Sequence, residues 1–251
     1  MIGDVIGKPG RRAVQALLPN LRGEYGIDFV VANGENAAAG FGITLDTAQE
    51  LFDYGVDVIT SGNHIWDQRE IIPYLDTELP ILRPLNYPPT VPGKGHLDTN
   101  GVVVVSLIGR VFVGNYDCPF RAMDTLLEEL GEQNRVILVD FHAEATSEKV
   151  AMGWYLDGRV SAVVGTHTHV GTVDTTILSQ GTAYVSDLGM VGPSHSVIGS
   201  EIEGVLVRFL NQTPHRLSVA SGAVKFGSVM IDVDETTGKA TRITRLDLEV
   251  K

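Results

Sequence analysis

The chain lacks the residues and runs that several classes of protein require. Cysteine occurs once, as Cys118, so an intrachain disulfide is excluded. No apolar run reaches the roughly 18 residues of a membrane helix. No signal peptide opens the chain, since Met1 and Ile2 lead directly into Gly3-Asp4. These absences predict a cytoplasmic protein that does not contact membranes.

Positive charge is also scarce. The chain has 19 Lys and Arg against 31 Asp and Glu, which gives a formal net charge of −12. A groove for long nucleic acid needs clustered Lys and Arg to neutralise phosphates, so we expect no long nucleic acid to bind. A small phosphoester remains compatible with this balance, because metal ions inside one pocket can meet its charge.

The pattern of apolar residues predicts an α/β fold. The length of 251 residues fits one large domain, and β-branched strands alternate with helical patterns, as in βαβ units. A helix is expected to begin near Pro9 and to end before Gly26. Further helices are expected after Thr44, over 123–130 and from Ser147, the last with Val150, Trp154 and Tyr155 on one face. Predicted strands cover 27–32, 56–60, 102–107, 136–141 and 160–164, and antiparallel hairpins cover 206–248 with a turn at 236–239.

Side chains that bind metals follow several of these strands. His167 and His169, in Gly165-Thr166-His167-Thr168-His169, come directly after the strand at 160–164. Two histidines at i and i+2 on an extended segment project to the same side. Four other segments carry metal-type side chains, and they are Asp4, Glu35-Asn36, Asn63-His64 and His142. Since ligands gather beyond the carboxyl ends of strands in such sheets, we predict a binuclear metal site there.

The mixture of oxygen and nitrogen donors favours iron, manganese or zinc over calcium. Two neighbouring ions need a shared ligand, usually a carboxylate, and Glu35 is the predicted bridge because Asn36 flanks it. Asp4 would hold one ion and His142 the other, with the remaining two histidines divided between them. The predicted metal ligands are Asp4, Glu35, Asn36, Asn63, His142, His167 and His169.

His64 is the predicted catalytic residue. While Asn63 offers its carbonyl oxygen to a metal ion, the neighbouring imidazole would point towards substrate and protonate a departing alkoxide. The predicted reaction is in-line attack of a metal-bound hydroxide on phosphorus. The alternative for His64 is a purely structural role at the start of a helix over 66–70.

The ordered motifs resemble those of calcineurin-like metallophosphoesterases, and more narrowly those of the YmdB-like bacterial branch. The motifs are Gly3-Asp4-Val5, Asn33-Gly34-Glu35-Asn36, Gly62-Asn63-His64, Phe141-His142-Ala143-Glu144 and Gly165-Thr166-His167-Thr168-His169. The wider superfamily has Asp-x-His at the first strand, whereas Val5 and Ile6 follow Asp4 here. The usual bridging Asp is replaced by Glu35. Both departures agree with the narrower branch.

The resemblance implies a four-layer α/β/β/α sandwich of two mixed sheets flanked by helices, formed by residues 1–251 as a single metallophosphoesterase domain. It implies a di-iron or di-manganese site, with zinc and magnesium as alternatives. It also implies phosphodiesterase activity on cyclic nucleotides, 2′,3′-cyclic AMP above all. By position, the seven ligands named above carry over, and His64 carries over as the proton donor.

Other functions stay open at this point. The chain could hydrolyse another small phosphoester, or act as a non-catalytic or slow metal-binding regulator. An amidohydrolase barrel is disfavoured, because its His-x-His pair belongs to the first strand, whereas here four ligand segments precede His167. The sequence also leaves a homo-oligomer open.

Overall fold

The fold is given by a computed structural model, which describes residues 1–131 and 135–250. Short strands alternate with helices through most of this range. The strands are β1 (Asp4–Val5), β2 (Val31–Asn33), β3 (Val58–Thr60), β4 (His96–Thr99), β5 (Val102–Ile108), β6 (Val136–His142), β7 (Ala162–Thr166), β8 (Thr176–Ile177), β9 (Ala183–Val185), β10 (Met190–Pro193), β11 (Val224–Phe226), β12 (Val229–Asp234), β13 (Lys239–Arg245) and β14 (Leu248–Val250). The helices are α1 (Gly7–Tyr25), α2 (Leu45–Asp53), α3 (Pro119–Leu130), α4 (Thr146–Leu156) and α5 (Ile202–Asn211), with a 3-10 helix over Arg69–Tyr74.

The strands form two main layers. One layer is a six-stranded sheet in the order β4-β5-β6-β7-β9-β8, parallel from β5 to β9 and antiparallel at its edges. The other combines the parallel pair β2-β3 with the sheet β1-β10-β11-β14, and a bridge between Ile2 and Ala32 joins them. Both layers mix parallel and antiparallel pairs, as predicted.

Apolar side chains fill the space between the sheets and the space under the helices. The layer between the sheets includes Val31, Val58, Leu82, Val104, Leu138, Ala162, Ala183 and Ala240. A second cluster packs α1, α2 and the 3-10 helix against β1, β2, β3 and β10. A third packs α3 and α4 against β5, β6 and β7. The four-layer α/β/β/α arrangement is therefore confirmed.

The ends of the first two helices follow from local sequence. Helix α1 ends where Gly26 adopts φ 62°, a left-handed conformation that glycine enters without steric cost, and its N–H donates to the carbonyl of Arg22. Helix α2 begins at a capping box, in which the side chains of Thr44 and Thr47 each accept a hydrogen bond from the other residue's backbone N–H. Among the described residues, no helix is both long and apolar enough to cross a membrane.

Of the three residues predicted on one face of helix α4, only Val150 packs against a core cluster. Trp154 is 59% exposed and Tyr155 40% exposed, whereas the buried side of the helix carries Glu148 and Lys149 together with Met152. The charged residues occupy this side because the fold supplies buried partners for them. The carboxylate of Glu148 accepts hydrogen bonds from the backbone N–H groups of residues 110 and 111.

The prediction of antiparallel hairpins over 206–248 is correct only in part. The hairpin of β12 and β13 forms, and its turn lies between Asp234 and Lys239 as expected. Residues 202–211 instead form helix α5, because Val205, Leu206, Phe209 and Leu210 recur at helical spacing. The strands expected at 27–32 and 56–60 are shorter, at Val31–Asn33 and Val58–Thr60.

Candidate metal centre

All the predicted site residues lie at the carboxyl ends of strands from both sheets. Strands β1, β2 and β3 supply or precede Asp4, Glu35, Asn36, Asn63 and His64, and β6 and β7 supply or precede His142, His167 and His169. Asp4, Glu35, Asn36 and His142 are buried. The distances below show that these side chains meet in one cluster.

One part of the cluster surrounds the Nε2 atom of His142. This atom lies 2.9 Å from Nδ1 of His167, 3.1 Å from Oε1 of Glu35 and 3.2 Å from Oδ1 of Asn63. Ligand atoms of Glu35, His142 and His167 all lie within 4.8 Å of one another. Imidazole nitrogens and carboxylate or amide oxygens at this spacing are a donor set for a transition metal.

The other part of the cluster surrounds the Nε2 atom of His169. This atom lies 3.2 Å from Nδ2 of Asn36 and 3.8 Å from Oδ1 of Asp4. The Oδ1 atom of Asp4 is buried and has no hydrogen-bond partner among the described residues, although Oδ2 accepts from the backbone N–H of His167 at 3.1 Å. A buried, unpaired carboxylate oxygen is costly unless a cation meets it. The residues present therefore fit a metal ion.

Glu35 lies between the two parts. Its Oε1 atom is 3.1 Å from His142 and accepts a hydrogen bond from Asn36 at 3.3 Å, while Oε2 accepts from the backbone N–H of His64 at 3.0 Å. Because the carboxylate of Glu35 contacts both parts, it lies where a ligand shared by two metal ions is predicted. The amide nitrogen of Asn36 faces the cluster, so binding a metal through its oxygen needs the amide to turn by about 180°.

Each of the three histidines has one ring nitrogen in the cluster and the other against an outward acceptor. The outward contacts are His142 Nδ1 with Thr166 Oγ1 at 2.9 Å, His169 Nδ1 with the carbonyl of Ile198 at 2.8 Å, and His167 Nε2 with Glu144 Oε2 at 3.2 Å. A histidine that binds a metal commonly donates its other N–H to such an acceptor, which fixes the tautomer. The arrangement thus directs the other nitrogen of each ring into the cluster, where it can bind a metal ion.

The sequence prediction missed these acceptors. The hydroxyl of Thr166 donates to Asp140 at 2.7 Å, so its oxygen accepts from His142. Asp140 also accepts from Asn33 at 3.0 Å and from Thr60. Glu144 belongs to the Phe-His-Ala-Glu motif, and its place two residues after His142 was the one available signal. The threonines lie inside strands, and nothing in the sequence marked them as partners of the site.

The backbone of the His-Thr-His segment differs from the prediction. Strand β7 ends at Thr166, and His167 and His169 have φ values of 100° and 64°. These are left-handed conformations that L-residues rarely adopt, so the pair is not extended. The turn lets both rings reach the cluster from the end of a strand already paired with β6 and β9.

A buried ion pair holds this segment. The ammonium of Lys149 lies 2.6 Å from Oδ2 of Asp187 and donates to the carbonyl of Thr166 at 2.8 Å. The same carboxylate oxygen accepts from the backbone N–H and the hydroxyl of Thr168, at 3.2 and 2.8 Å. The side chains of Lys149 and Asp187 are only 3% and 2% exposed. Such contacts offset the strain of the neighbouring backbone.

Glycines make room at two of the ligand segments. A Cβ atom on Gly62 would lie 2.1 Å from Cδ2 of His142, and one on Gly165 would lie 1.8 Å from the carbonyl oxygen of Ser186. Neither contact is tolerable, so both positions require glycine. The Gly-Asn-His and Gly-Thr-His motifs therefore contain packing requirements as well as predicted ligands.

The acidic side chains make the cluster favourable for cations. Burial lowers the pKa of His142, but Glu35 and then Asp4 raise it more, to about 9. Burial raises the pKa of Glu35, but the charge and hydrogen bond of His142, followed by His64, bring it to about 2. Burial raises the pKa of Asp4 to about 6, against the opposing influence of His169 and His142. Burial and then the charge of His142 lower the pKa of His167 to about 3.

His64 stands at the edge of the cluster beside a cavity of about 640 Å³. Its Nδ1 atom lies 2.8 Å from Oδ2 of Asp67, and its ring meets that of Phe41 edge-on with centroids 5.0 Å apart. Glu35 and His167 line the same cavity. The imidazole is thus oriented by a carboxylate through Nδ1, which leaves Nε2 as the nitrogen that can meet a substrate.

Two crystal structures share this fold. One is a novel phosphatase from Mycoplasma pneumoniae, with a TM-score of 0.92 and 31% identity over 99% of this chain and 92% of that chain. The other is a hypothetical protein from Thermus thermophilus, with a TM-score of 0.92 and 45% identity over 99% of this chain and 97% of that chain. Fold and site together define a protein of the metallophosphoesterase class.

The sequence comparisons narrow this class. A 2′,3′-cyclic-nucleotide 2′-phosphodiesterase of Bacillus subtilis (strain 168) is 46% identical over 98% of this chain and 94% of its own length. The model of the YmdB-like protein family matches residues 1–246. The chain belongs to this family, and the resemblance predicted from its motifs is confirmed.

Proposed function

We propose that the chain is a metal-dependent phosphodiesterase that hydrolyses cyclic nucleotides, 2′,3′-cyclic AMP above all, through a single domain over residues 1–251. The observation that carries the proposal is the orientation of the three histidines, each with one nitrogen in the cluster and the other on an outward acceptor. The predicted enzyme class agrees with the activity named for the Bacillus subtilis relative.

The cluster would hold two metal ions, with iron or manganese favoured by its donors and zinc or magnesium as alternatives. His142, His167 and Asn63 would hold one ion, and Asp4, Asn36 and His169 the other, with Glu35 shared. When bound, such ions supply Lewis acidity that neutralises phosphoryl oxygens and lowers the pKa of water. A cytoplasmic location and a homo-oligomer stay predictions.

His64 would deliver the proton that the reaction requires. An oxygen of water forms a bond to phosphorus and releases a proton to solvent, while the bond from phosphorus to the 2′-oxygen breaks. The 2′-oxygen takes the proton from Nε2 of His64, which solvent then protonates again. The product is a nucleoside 3′-phosphate, in line with the 2′-phosphodiesterase activity named for the relative. Asp67, at 2.8 Å from Nδ1, would stabilise the imidazolium and hold the ring.

The first experiment is hydrolysis of 2′,3′-cyclic AMP by the purified, manganese-loaded protein, with the AMP isomers separated by chromatography. We expect 3′-AMP from the wild type. The His64→Ala variant should lose activity on the order of 10²-fold or more while it keeps its metal by elemental analysis. His195→Ala, which changes an exposed histidine outside the site, is the matched control.

Two results would count against the proposal. Hydrolysis by His64→Ala at the wild-type rate would remove the proton-donor role. Absence of product from metal-loaded wild type would instead indicate another small phosphoester as substrate, or a regulator that binds without turnover.

A further inference from the structure

The cavity beside the metal centre has two unlike walls. One wall is the cluster itself, with His64 at its edge. The other wall is mostly apolar, with Val197, Ile198, Val205, Phe209, Leu217 and Val219 beside the polar Ser200, Arg208 and Ser218. Among the described residues, Arg208 is the only lysine or arginine that lines the cavity. The volume of about 640 Å³ lies within the roughly 300–1,000 Å³ of small-molecule pockets.

Hydrogen bonds fix the position of the apolar wall relative to the cluster. The carbonyl of Ile198 accepts the hydrogen bond from Nδ1 of His169, so this wall touches a predicted ligand directly. Residues 197–200 form a tight turn, in which Val197 and Ser200 exchange backbone hydrogen bonds. Ser200 also pairs with Val219. A substrate whose phosphate lies on the cluster would therefore meet this wall at a defined distance.

Phe209 is the unusual residue of the wall. It lines the cavity, yet it is 76% exposed, and helix α5 buries only Val205. A large aromatic side chain gains little stability from so exposed a position. Its ring is instead available to a flat ligand at the mouth of the cavity.

We propose that this wall is a nucleobase subsite in which Phe209 stacks on the base of the substrate. The inference rests on the proposed function and extends it, because the cluster accounts only for the phosphate. A nucleoside 2′,3′-cyclic phosphate has an anionic ring at one end and a flat base at the other, which matches the two walls. Stacking on an aromatic ring accepts any base, and the guanidinium of Arg208 adds donors for polar atoms at the base edge.

The test compares substrates with and without a base, using metal-loaded Phe209→Ala, Phe209→Trp and wild type. Kinetics are measured on 2′,3′-cyclic AMP and on glycerol 1,2-cyclic phosphate, which lacks a base. Phe209→Ala should raise KM for 2′,3′-cyclic AMP about 5- to 100-fold, with a much smaller effect on the base-free substrate. Phe209→Trp should restore the affinity. Leu210→Ala is the matched control, since Leu210 is 80% exposed on the same helix but does not line the cavity.

Calorimetric binding of 2′,3′-cyclic AMP at low temperature separates this inference from the proposed function. Binding by wild type that weakens in Phe209→Ala supports the subsite even if turnover is absent, in which case the proposed function alone fails. Equal losses on both substrates, unchanged affinity in Phe209→Ala, or no binding by wild type would each overturn the subsite.

Discussion

Thr166 determines which nitrogen of His142 faces the cluster. Its hydroxyl donates to Asp140 at 2.7 Å and accepts from Nδ1 of His142 at 2.9 Å, which leaves Nε2 as the ligand nitrogen. Thr166→Val keeps the shape of the side chain but removes this acceptor. We expect the variant to lose about 10- to 100-fold in manganese affinity or in activity, because outer partners of metal ligands have effects of this size.

The matched variant is Thr166→Ser, which keeps the hydroxyl and should retain most of the affinity. Manganese affinity of both proteins is measured by isothermal titration calorimetry. If the valine variant binds manganese as tightly as the serine variant, the hydroxyl does not orient His142.

The grouping of the predicted site residues followed from the sequence, whereas the side chains that support them did not. Strand-end positions were enough to place the seven predicted ligands and His64 together, because carboxyl ends of strands meet at one edge. Thr166 and Asp140 act through hydrogen bonds between neighbouring strands, and no spacing along the chain marks such a contact. The left-handed turn at His167 and His169 was also unpredictable, because histidine has no strong preference for a left-handed backbone conformation.

Helix α4 depends on a buried charge for its position. Lys149 lies beneath the turn after β7 and pairs with Asp187 at 2.6 Å. Lys149→Met preserves the length of the side chain but leaves the carboxylate buried without its cation. We expect the free energy of unfolding to fall by about 3 kcal/mol, the lower end of the range for breaking a buried pair, because Thr168 and Gly189 still donate to Asp187.

Urea denaturation of the metal-free proteins measures this loss. Lys8→Met is the matched control, because Lys8 is exposed on α1 and its replacement should change stability by no more than about 0.5 kcal/mol. Equal stability of the two variants would show that the pair contributes nothing to the position of the turn.

Periodicity predicted the helices and strands well where apolar residues alone decide the buried face. It failed for α4, because Glu148 and Lys149 look like surface residues in the sequence and their partners come from distant segments. It failed for residues 206–211, because the predicted hairpins were extended over Leu206, Phe209 and Leu210, which recur at helical spacing. The four layers followed from the family resemblance, since strand spacing does not reveal that Asp4 pairs with Met190.

The candidate metal centre joins the two halves of the molecule. Asp4, Glu35, Asn36 and Asn63 come from the layer that contains β1, and the three histidines come from the sheet that contains β7. Bound ions would therefore stabilise the packing of one layer on the other. Manganese at about 100 times its dissociation constant should raise the free energy of unfolding by about 2.7 kcal/mol.

Scanning calorimetry with manganese and with a chelator measures this effect as a difference in Tm. Glu35→Ala should show little or no shift, because the shared ligand is gone, whereas Glu70→Ala, at an exposed position, should shift as wild type does. A wild-type Tm that is the same with manganese and with chelator would rule out a stabilising metal site.

The pairing of β1 with β10 has a consequence for protein synthesis. Asp4 has no strand partner until Met190 has left the ribosome, and the carbonyl that orients His169 belongs to Ile198. At about 5–20 residues per second, translation separates these residues by roughly 10–40 seconds. A nascent chain therefore carries its first predicted metal ligand long before the cluster is complete, and metal ions bound there would be loaded only after most of the polypeptide has been made.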